Sequence, residues 1–536
     1  MPKIADRILA SLKSNGVTTV FGIPSIHNIG FYDALRRDGS VRHILCRHEG
    51  SAVHMADGYA RSGAGVGVVI ASTGPGAAYT LSPLIEAFYS CSPVLIISSN
   101  VRTSQMGKNT GVLHEFRHQE SAFKSVTKCR CCLRPDVNVA ERVNRVILTA
   151  RSGRPGPAYL EVPYDMWDME AGTGAGTVQD FSPKPRSESD LDAVVERIEK
   201  AKRPLIIAGI EAVHAGMASE VTELAVMLDA PVLTDAGGKG IIREDNRLSF
   251  GNVTNGGVVK EIHQCCDVTL SIGSRLRYVD FKRRGVVLPG LIHMDWDRQW
   301  IDKNFRADIG LVGDVSEMLG SLKRRLGRAI PPERKAFVDR MNAKRERVLE
   351  KTPGISPETT YLDAVRRAIP DSGILVVDNT ILGYFAEQLY PSFRPLGLVP
   401  AKGASPIGFA FPAAAGLKIA CPDIPVAALI GDGGFLYGSQ ELSTCVANRV
   451  GFPVIVVNDG AYRMIDFLQN THYKAGYETA LFNPDFKSLA AAYGIGAACV
   501  DSPEQLHDAV ADALDSGRMR LIELKTTFPD PPFGRF

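Results

Sequence analysis

The chain carries almost no excess charge. Its 61 basic side chains stand against 59 acidic ones over 536 residues, so there is no positive field to hold nucleic acid or an anionic membrane. It also lacks a long uncharged apolar run and a signal-type apolar core near its start, where Met1 to Lys13 mix charges into an amphipathic pattern; a cytoplasmic location without a membrane partner is expected. No G-x-x-x-x-G-K-[ST] or G-x-G-x-x-G occurs, which weakens a Mg²⁺-dependent nucleotide enzyme as a reading. Short-period repeats are missing too. The ten cysteines are scattered, and Cys46, Cys91, Cys445 and Cys499 lie in apolar segments, so reduced core thiols are expected. Cys129-Arg130-Cys131-Cys132 contains a formal C-x-x-C, but no second pair lies at zinc-site spacing.

What is present is an alternation of short apolar runs and helix-like segments, with 45% hydrophobic residues. From residue 1 to about 168, helical patterns (Ile4 to Lys13, Ile29 to Arg36, Ser51 to Arg61, Tyr79 to Tyr89) alternate with strand-like ones (Thr18 to Phe21, His43 to Cys46, Val66 to Ala71, Val94 to Ser98). Such alternation predicts a doubly wound parallel sheet. The pattern recurs twice, so the expectation is an α/β protein of three such domains at 1–170, 190–330 and 359–536, with a linker at 171–189 and a linker helix at 331–358. The middle stretch, with strands at Leu205 to Ala208, Val232 to Thr234, Val268 to Ile272 and Leu291 to Met294, shows no convergent polar cluster. The basic run Lys323 to Lys335 reads as a solvated helix and linker, and the tail Phe528 to Phe536 as irregular.

One stretch carries chemistry. Val426 to Ile430 and Val454 to Val457 read as buried parallel strands joined by a helical segment. They are followed by Gly431-Asp432-Gly433-Gly434 and Asn458-Asp459-Gly460-Ala461. Two carboxylates therefore fall at the carboxyl edge of one sheet, where open α/β sheets bind ligands. Gly433 and Gly434 allow close approach of a phosphate to a helix start. Two carboxylates with phosphate oxygens suit Mg²⁺.

Gly-Asp-Gly followed about two dozen residues later by Asn-Asp resembles the cofactor motif of thiamine diphosphate enzymes. Over nearly its whole length the chain is similar to their acetohydroxyacid synthase and 2-oxo acid decarboxylase group. The resemblance implies thiamine diphosphate and Mg²⁺, with Asp432, Asp459 and the carbonyl of Ala461 as metal ligands. Asp459 stands where Asn is commoner, and Asn458 is an alternative ligand. Arg47-His48-Glu49-Gly50 with Met55 to Arg61 resembles the activating-glutamate segment. Glu49 would bond the aminopyrimidine ring, for which a dry site and a raised pKa are expected. Thr73-Gly74-Pro75-Gly76 would lie along the pyrimidine, although Tyr79 replaces the usual Asn. Gly403 to Phe409 resembles the segment that shapes the cofactor, with Ser405 nearby and Ile407 as its apolar prop; Gly431, Gly433 and Gly434 would meet the diphosphate.

On the substrate side, pyruvate decarboxylases carry an acid where this chain has Ile26 and a Glu where it has Ile465. His27, His114 and Gln119 remain as candidate catalytic groups. The resemblance implies decarboxylation of a 2-oxo acid, followed by aldehyde release or by addition to a second aldehyde or ketone. It also implies a homodimer or homotetramer whose subunits share each site. A catalytically silent paralogue that only binds the cofactor, and a flavin-containing synthase or oxidase, are the alternatives. FAD belongs to part of the synthase branch and has no signal of its own here.

Overall fold

A computed structural model describes residues 2–135, 138–171, 188–327, 330–351, 356–528 and 530–532. The expected linker at 171–189 falls mostly outside them, as do 352–355 of the linker helix and 529 and 533–536 of the tail.

The described chain forms three six-stranded, all-parallel sheets, the architecture expected. The N-terminal sheet contains β1 Thr19–Gly22, β2 Arg42–Leu45, β3 Gly67–Ala71, β4 Val94–Asn100, β5 Cys129–Cys132 and β6 Ala158–Pro163, in the order β2-β1-β3-β4-β6-β5. The middle sheet contains β7 Pro204–Ala208, β8 Val232–Thr234, β9 Ser249–Asn252, β10 Val268–Ile272, β11 Ile292–Asp295 and β12 Ile309–Val312, in the order β12-β11-β10-β7-β8-β9. The C-terminal sheet contains β13 Ile374–Val377, β14 Leu398–Pro400, β15 Val426–Gly431, β16 Pro453–Val457, β17 Gly496–Val500 and β18 Arg520–Leu524, in the order β14-β13-β15-β16-β18-β17.

Each sheet is buried on both faces, which is why its inner strands read as continuous apolar runs. Along β3, Val69 and Ala71 enter one core while Val68 and Ile70 enter another. The first of these cores also takes Ala428, Ile430, Val454 and Val456 of the C-terminal sheet, so the two outer sheets share a hydrophobic interior. Helix Glu49–Tyr59 packs against helix Ala410–Ala420. Their backbones approach so closely that a Cβ on Gly58 would meet the Ala413 carbonyl oxygen at 2.1 Å.

Several expectations are corrected. Cys499 is exposed, because β17 is an edge strand, whereas Cys46, Cys91 and Cys445 are buried. The C-x-x-C segment is strand β5, with Cys129 and Cys131 packed onto a core. Arg334, within the basic run, is 3% exposed and donates to the carbonyls of Ile198 and Ala201. The middle sheet does carry a convergent polar cluster. Buried Glu211 accepts from Arg154 Nε (2.8 Å) and Cys91 Sγ (3.3 Å), partners that belong to the N-terminal half and so leave no local trace. Among the described residues no helix is long and apolar enough to cross a membrane.

Candidate active site

In the C-terminal sheet the chain starts at β13 and places β14 on one side and β15 on the other. That reversal opens a crevice at the carboxyl edge. A cavity of about 460 Å³ lies there, bounded by Asn379 and Thr380 after β13, Gly431 to Gly434 after β15, and Asp459 and Ala461 after β16. Because Gly431 pairs with Val457, Asp432 and Asp459 end neighbouring strands. Asp432 is 2% exposed. Its Oδ1 accepts from the Gly433 N–H (2.8 Å), and its Oδ2 accepts from the Gly460 N–H (2.9 Å) and Asn483 Nδ2 (2.7 Å). Asn483 Nδ2 also donates to Asn458 Oδ1 at 2.9 Å, while its own Oδ1 is buried without a partner.

Asp459 adds a second carboxylate, and its charge is met locally. Arg463 Nε donates to Asp459 Oδ2 (2.9 Å) and Arg463 Nη2 to the Asp459 carbonyl (3.0 Å). The Ala461 carbonyl accepts from the Arg463 N–H at 2.8 Å, which leaves it one lone pair. Two carboxylates and a carbonyl are an incomplete oxygen shell that suits Mg²⁺ when phosphate oxygens complete it. A Cβ on Gly433 would lie 2.5 Å from the Tyr462 ring, so only glycine fits at this point of the helix start Asp432–Gly438, beside the cavity. The donor set and the cradle fit a magnesium diphosphate.

Ser405 and Ile407 also line this cavity, whereas Gly403 turns away from it and bonds to Glu86. Ile465 lines the cavity and is 49% exposed. Its neighbour Asp466 instead accepts from Thr479 Oγ1 at 3.0 Å.

Glu49, His27, His114, Thr73 and Gln119 gather elsewhere. Helix Glu49–Tyr59 starts two residues earlier than its apolar pattern indicates, because His48 Nδ1 caps it by accepting from the Gly50 N–H at 2.9 Å. Glu49 is half-buried, with Oε1 3.2 Å from where a Cβ on Gly76 would sit. Glu441, on the C-terminal half, accepts the Arg47 and His48 N–H groups and fixes this entry. The Thr73-Gly74 loop is held by Gln119, whose Oε1 accepts from Thr73 Oγ1 (3.1 Å) and the Gly74 N–H (2.8 Å). Gln119 Nε2 donates to the Ser99 carbonyl (2.8 Å) and the Tyr159 hydroxyl (2.9 Å). Buried and engaged at both ends of its amide, Gln119 positions the loop and offers no atom to a ligand in this arrangement. His27 and His114 face each other with ring centroids 5.2 Å apart. His27 is buried with Nδ1 unpartnered, and burial, then the neighbouring His114, lowers its pKa.

One chain thus holds these candidate residues in two separate clusters. The cavity is bounded by residues between Asn379 and Ile465, and none of the Glu49 group reaches it. Both halves expose apolar side chains: Ile26, Tyr79 and Leu113 on one, Tyr437, Ile465 and Phe482 on the other.

The middle sheet has its own reversal between β7 and β10. The crevice there, lined by Asp235, Arg275 and Asp280, holds only about 20 Å³, and Arg275 fills it over the rings of Tyr89 and Trp300 at 5.4 Å each. Ligand pockets run to hundreds of Å³, so this crevice itself has no room for a flavin.

Sequence reasoning missed Arg463, Asn483, Glu86 and Glu441. Only Arg463 had a local signal, a cation four residues after Asp459 in the sequence.

Three family models match the chain: the N-terminal TPP binding domain of thiamine pyrophosphate enzymes at residues 2–122, their central domain at 191–322 and their C-terminal TPP binding domain at 378–524. A probable 2-ketoarginine decarboxylase, AruI, of Pseudomonas aeruginosa is 30% identical over 97% of this chain and 94% of its own length. A probable acetolactate synthase large subunit of Methanocaldococcus jannaschii is 28% identical over 97% of this chain and 91% of its own. Acetolactate synthase isozyme 3 large subunit of Escherichia coli is 27% identical over 98% and 94%. With three sheets matched in order and relatives aligned along nearly the full length, the chain belongs to the thiamine pyrophosphate enzymes, in the group of acetolactate synthases and 2-oxo acid decarboxylases.

Proposed function

We propose that this protein binds thiamine diphosphate with Mg²⁺ and decarboxylates a 2-oxo acid, releasing an aldehyde or joining the remaining fragment to a second carbonyl compound. The observation that carries this is the cavity at the β15 and β16 edge, lined by Asp432, Asp459, Ala461 and the glycines Gly431, Gly433 and Gly434. In this reading Asp432, Asp459 and the Ala461 carbonyl hold the metal, and Gly431, Gly433 and Gly434 receive the diphosphate. Ser405 and Ile407 shape the cavity wall. Bound thiamine diphosphate would supply the nucleophilic carbon and the electron sink that loss of CO₂ from a 2-oxo acid requires.

Glu49 would hold the aminopyrimidine ring through a shared proton. The half-buried state of Glu49 in one chain, and the apolar side chains exposed around both clusters, support a dimer or tetramer in which a second copy covers each site and dries it. The Thr73-Gly74 loop, fixed by Gln119, lies beside Glu49. His27 and His114 face the substrate. Three domains at 1–170, 190–330 and 359–536 are part of the same reading.

The test is CO₂ release from a panel of 2-oxo acids that includes pyruvate and 2-ketoarginine, with aldehyde and hydroxyketone both quantified. Turnover that needs neither thiamine diphosphate nor Mg²⁺ overturns the reading.

A further inference from the structure

The segment after β14 turns the N–H groups of Gly403, Ala404 and Ser405 away from the cavity, and a buried carboxylate accepts all three. That carboxylate is Glu86, 0% exposed, near the end of helix Pro75–Tyr89 in the N-terminal half. Its Oε1 accepts from Gly403 (2.8 Å), Ser90 Oγ (2.7 Å) and Arg61 Nη2 (3.0 Å); its Oε2 accepts from Ala404 (2.7 Å) and Ser405 (3.1 Å). Arg61 is locked in turn by two bonds to Asp57 (2.8 and 2.7 Å), donates to the Pro400 carbonyl (3.1 Å), and lies over the Phe409 ring.

The same segment is held on its other side. Asn379 Nδ2 donates to the carbonyls of Ser405 (2.7 Å) and Pro406 (2.9 Å), and Asp378 accepts from the Ala410 N–H (2.9 Å). Ser405 sits at φ 56°, a conformation that non-glycine residues keep only when their surroundings impose it. Between the two anchors stands Ile407, whose Cγ1 lies 3.4 Å from where a Cβ on Gly434 would be.

We propose that Glu86 is a positioning residue that sets how far Ile407 projects into the cofactor cavity, although Glu86 itself does not line that cavity. The proposal rests on reading the cavity as the cofactor site. Chemistry favours a carboxylate here. Five donors converge on its two oxygens, so a glutamine would turn an NH₂ group onto N–H donors, and an aspartate would fall short by one methylene. Burial alone would push the Glu86 pKa up, but Arg61, Ser90 and the backbone donors together bring it down to about 2, so the acceptor stays ionised.

The experiment compares Glu86→Gln and Glu86→Asp with the wild type. Amide hydrogen exchange at residues 403–405 is followed in the cofactor-free protein, and thiamine diphosphate affinity is measured with Mg²⁺, both also in an Ile407→Ala background. Glu86→Gln should speed exchange of the three amides and weaken affinity, each roughly tenfold, with Glu86→Asp between it and the wild type. In the Ile407→Ala background the further loss of affinity should be less than about twofold, because Ile407 is the group through which Glu86 acts. Unchanged exchange, or losses that multiply in the double variant, would overturn the proposal. Should Glu86→Gln fail to fold, Ser90→Ala removes one bond to Oε1 and should shift exchange in the same direction by roughly threefold; no shift there also overturns it. A wild type that binds no cofactor would remove the cofactor reading while leaving the exchange result intact.

Discussion

Arg463 opens the helix Arg463–Tyr473, four residues beyond Asp459 in the preceding loop, and donates its Nε to that carboxylate at 2.9 Å. The pair answers the question raised by an Asp where Asn is commoner. An extra negative charge beside Asp432 would repel a diphosphate, and the guanidinium four residues on offsets it.

The first prediction follows from that pair. Asp432→Ala should abolish thiamine diphosphate retention, and Asp459→Asn should keep much of it, because an amide oxygen still coordinates. Arg463→Ala should weaken binding roughly tenfold in the wild type and far less in Asp459→Asn, where no extra charge remains to be balanced. Calorimetric titration with Mg²⁺ present checks all four variants, and equal losses in both backgrounds would remove Arg463 from the site.

Glu49→Gln should bind the cofactor yet exchange its C2 proton at least about a hundredfold more slowly, with turnover falling in step. NMR-followed exchange is the check. An unchanged rate would leave Glu49 a purely structural role.

The fate of the fragment left after CO₂ departs should depend on His27. Burial holds this imidazole below its ordinary pKa, so near neutral pH it is uncharged and a weak proton donor. Aldehyde release needs a proton delivered to carbon, whereas addition to a second carbonyl does not. Hydroxyketone should therefore compete well at pH 7, and the aldehyde share should rise as pH falls below about 6.5. His27→Ala should slow aldehyde formation selectively; a product ratio indifferent to both pH and this substitution would exclude His27 as the donor.

His43, His54 and His214 are held neutral by burial, each pushed down to about 4. Below pH 6.5 the unfolded chain takes up protons that the folded chain refuses until about 4. Stability is thus complete above 6.5 and lost as pH falls, on the order of 1–2 kcal/mol per histidine by pH 5. Urea unfolding between pH 7 and 5 should show this, with His54→Leu flattening the decline.

The purified protein should show no visible flavin band, because Arg275 fills the middle-sheet crevice. A stoichiometric flavin spectrum would contradict that packing.

The parts legible in the sequence were those whose cause is local. β15 and β16 are continuous apolar runs because both faces of their sheet are covered, and their acids follow at once. β9 and β12 were missed because Ser249–Asn252 and Ile309–Val312 are the short edge strands of the middle sheet, where a continuous apolar run is not required. Glu86 had no readable signal, since the N–H groups it accepts lie more than three hundred residues on. Asn483, which ties Asp432 to Asn458, likewise acts at a distance of tens of residues. Gln119 was legible as a candidate site residue, but its saturated hydrogen bonding appears only once Tyr159 and Ser99 are folded beside it.

The most direct test of the central claim is calorimetric titration of thiamine diphosphate into the metal-stripped protein, with and without Mg²⁺, alongside Asp432→Ala. The account predicts saturable binding by the wild type that requires Mg²⁺ and is lost in the variant. Tight binding without metal, undiminished binding by Asp432→Ala, or no binding by the wild type would contradict it.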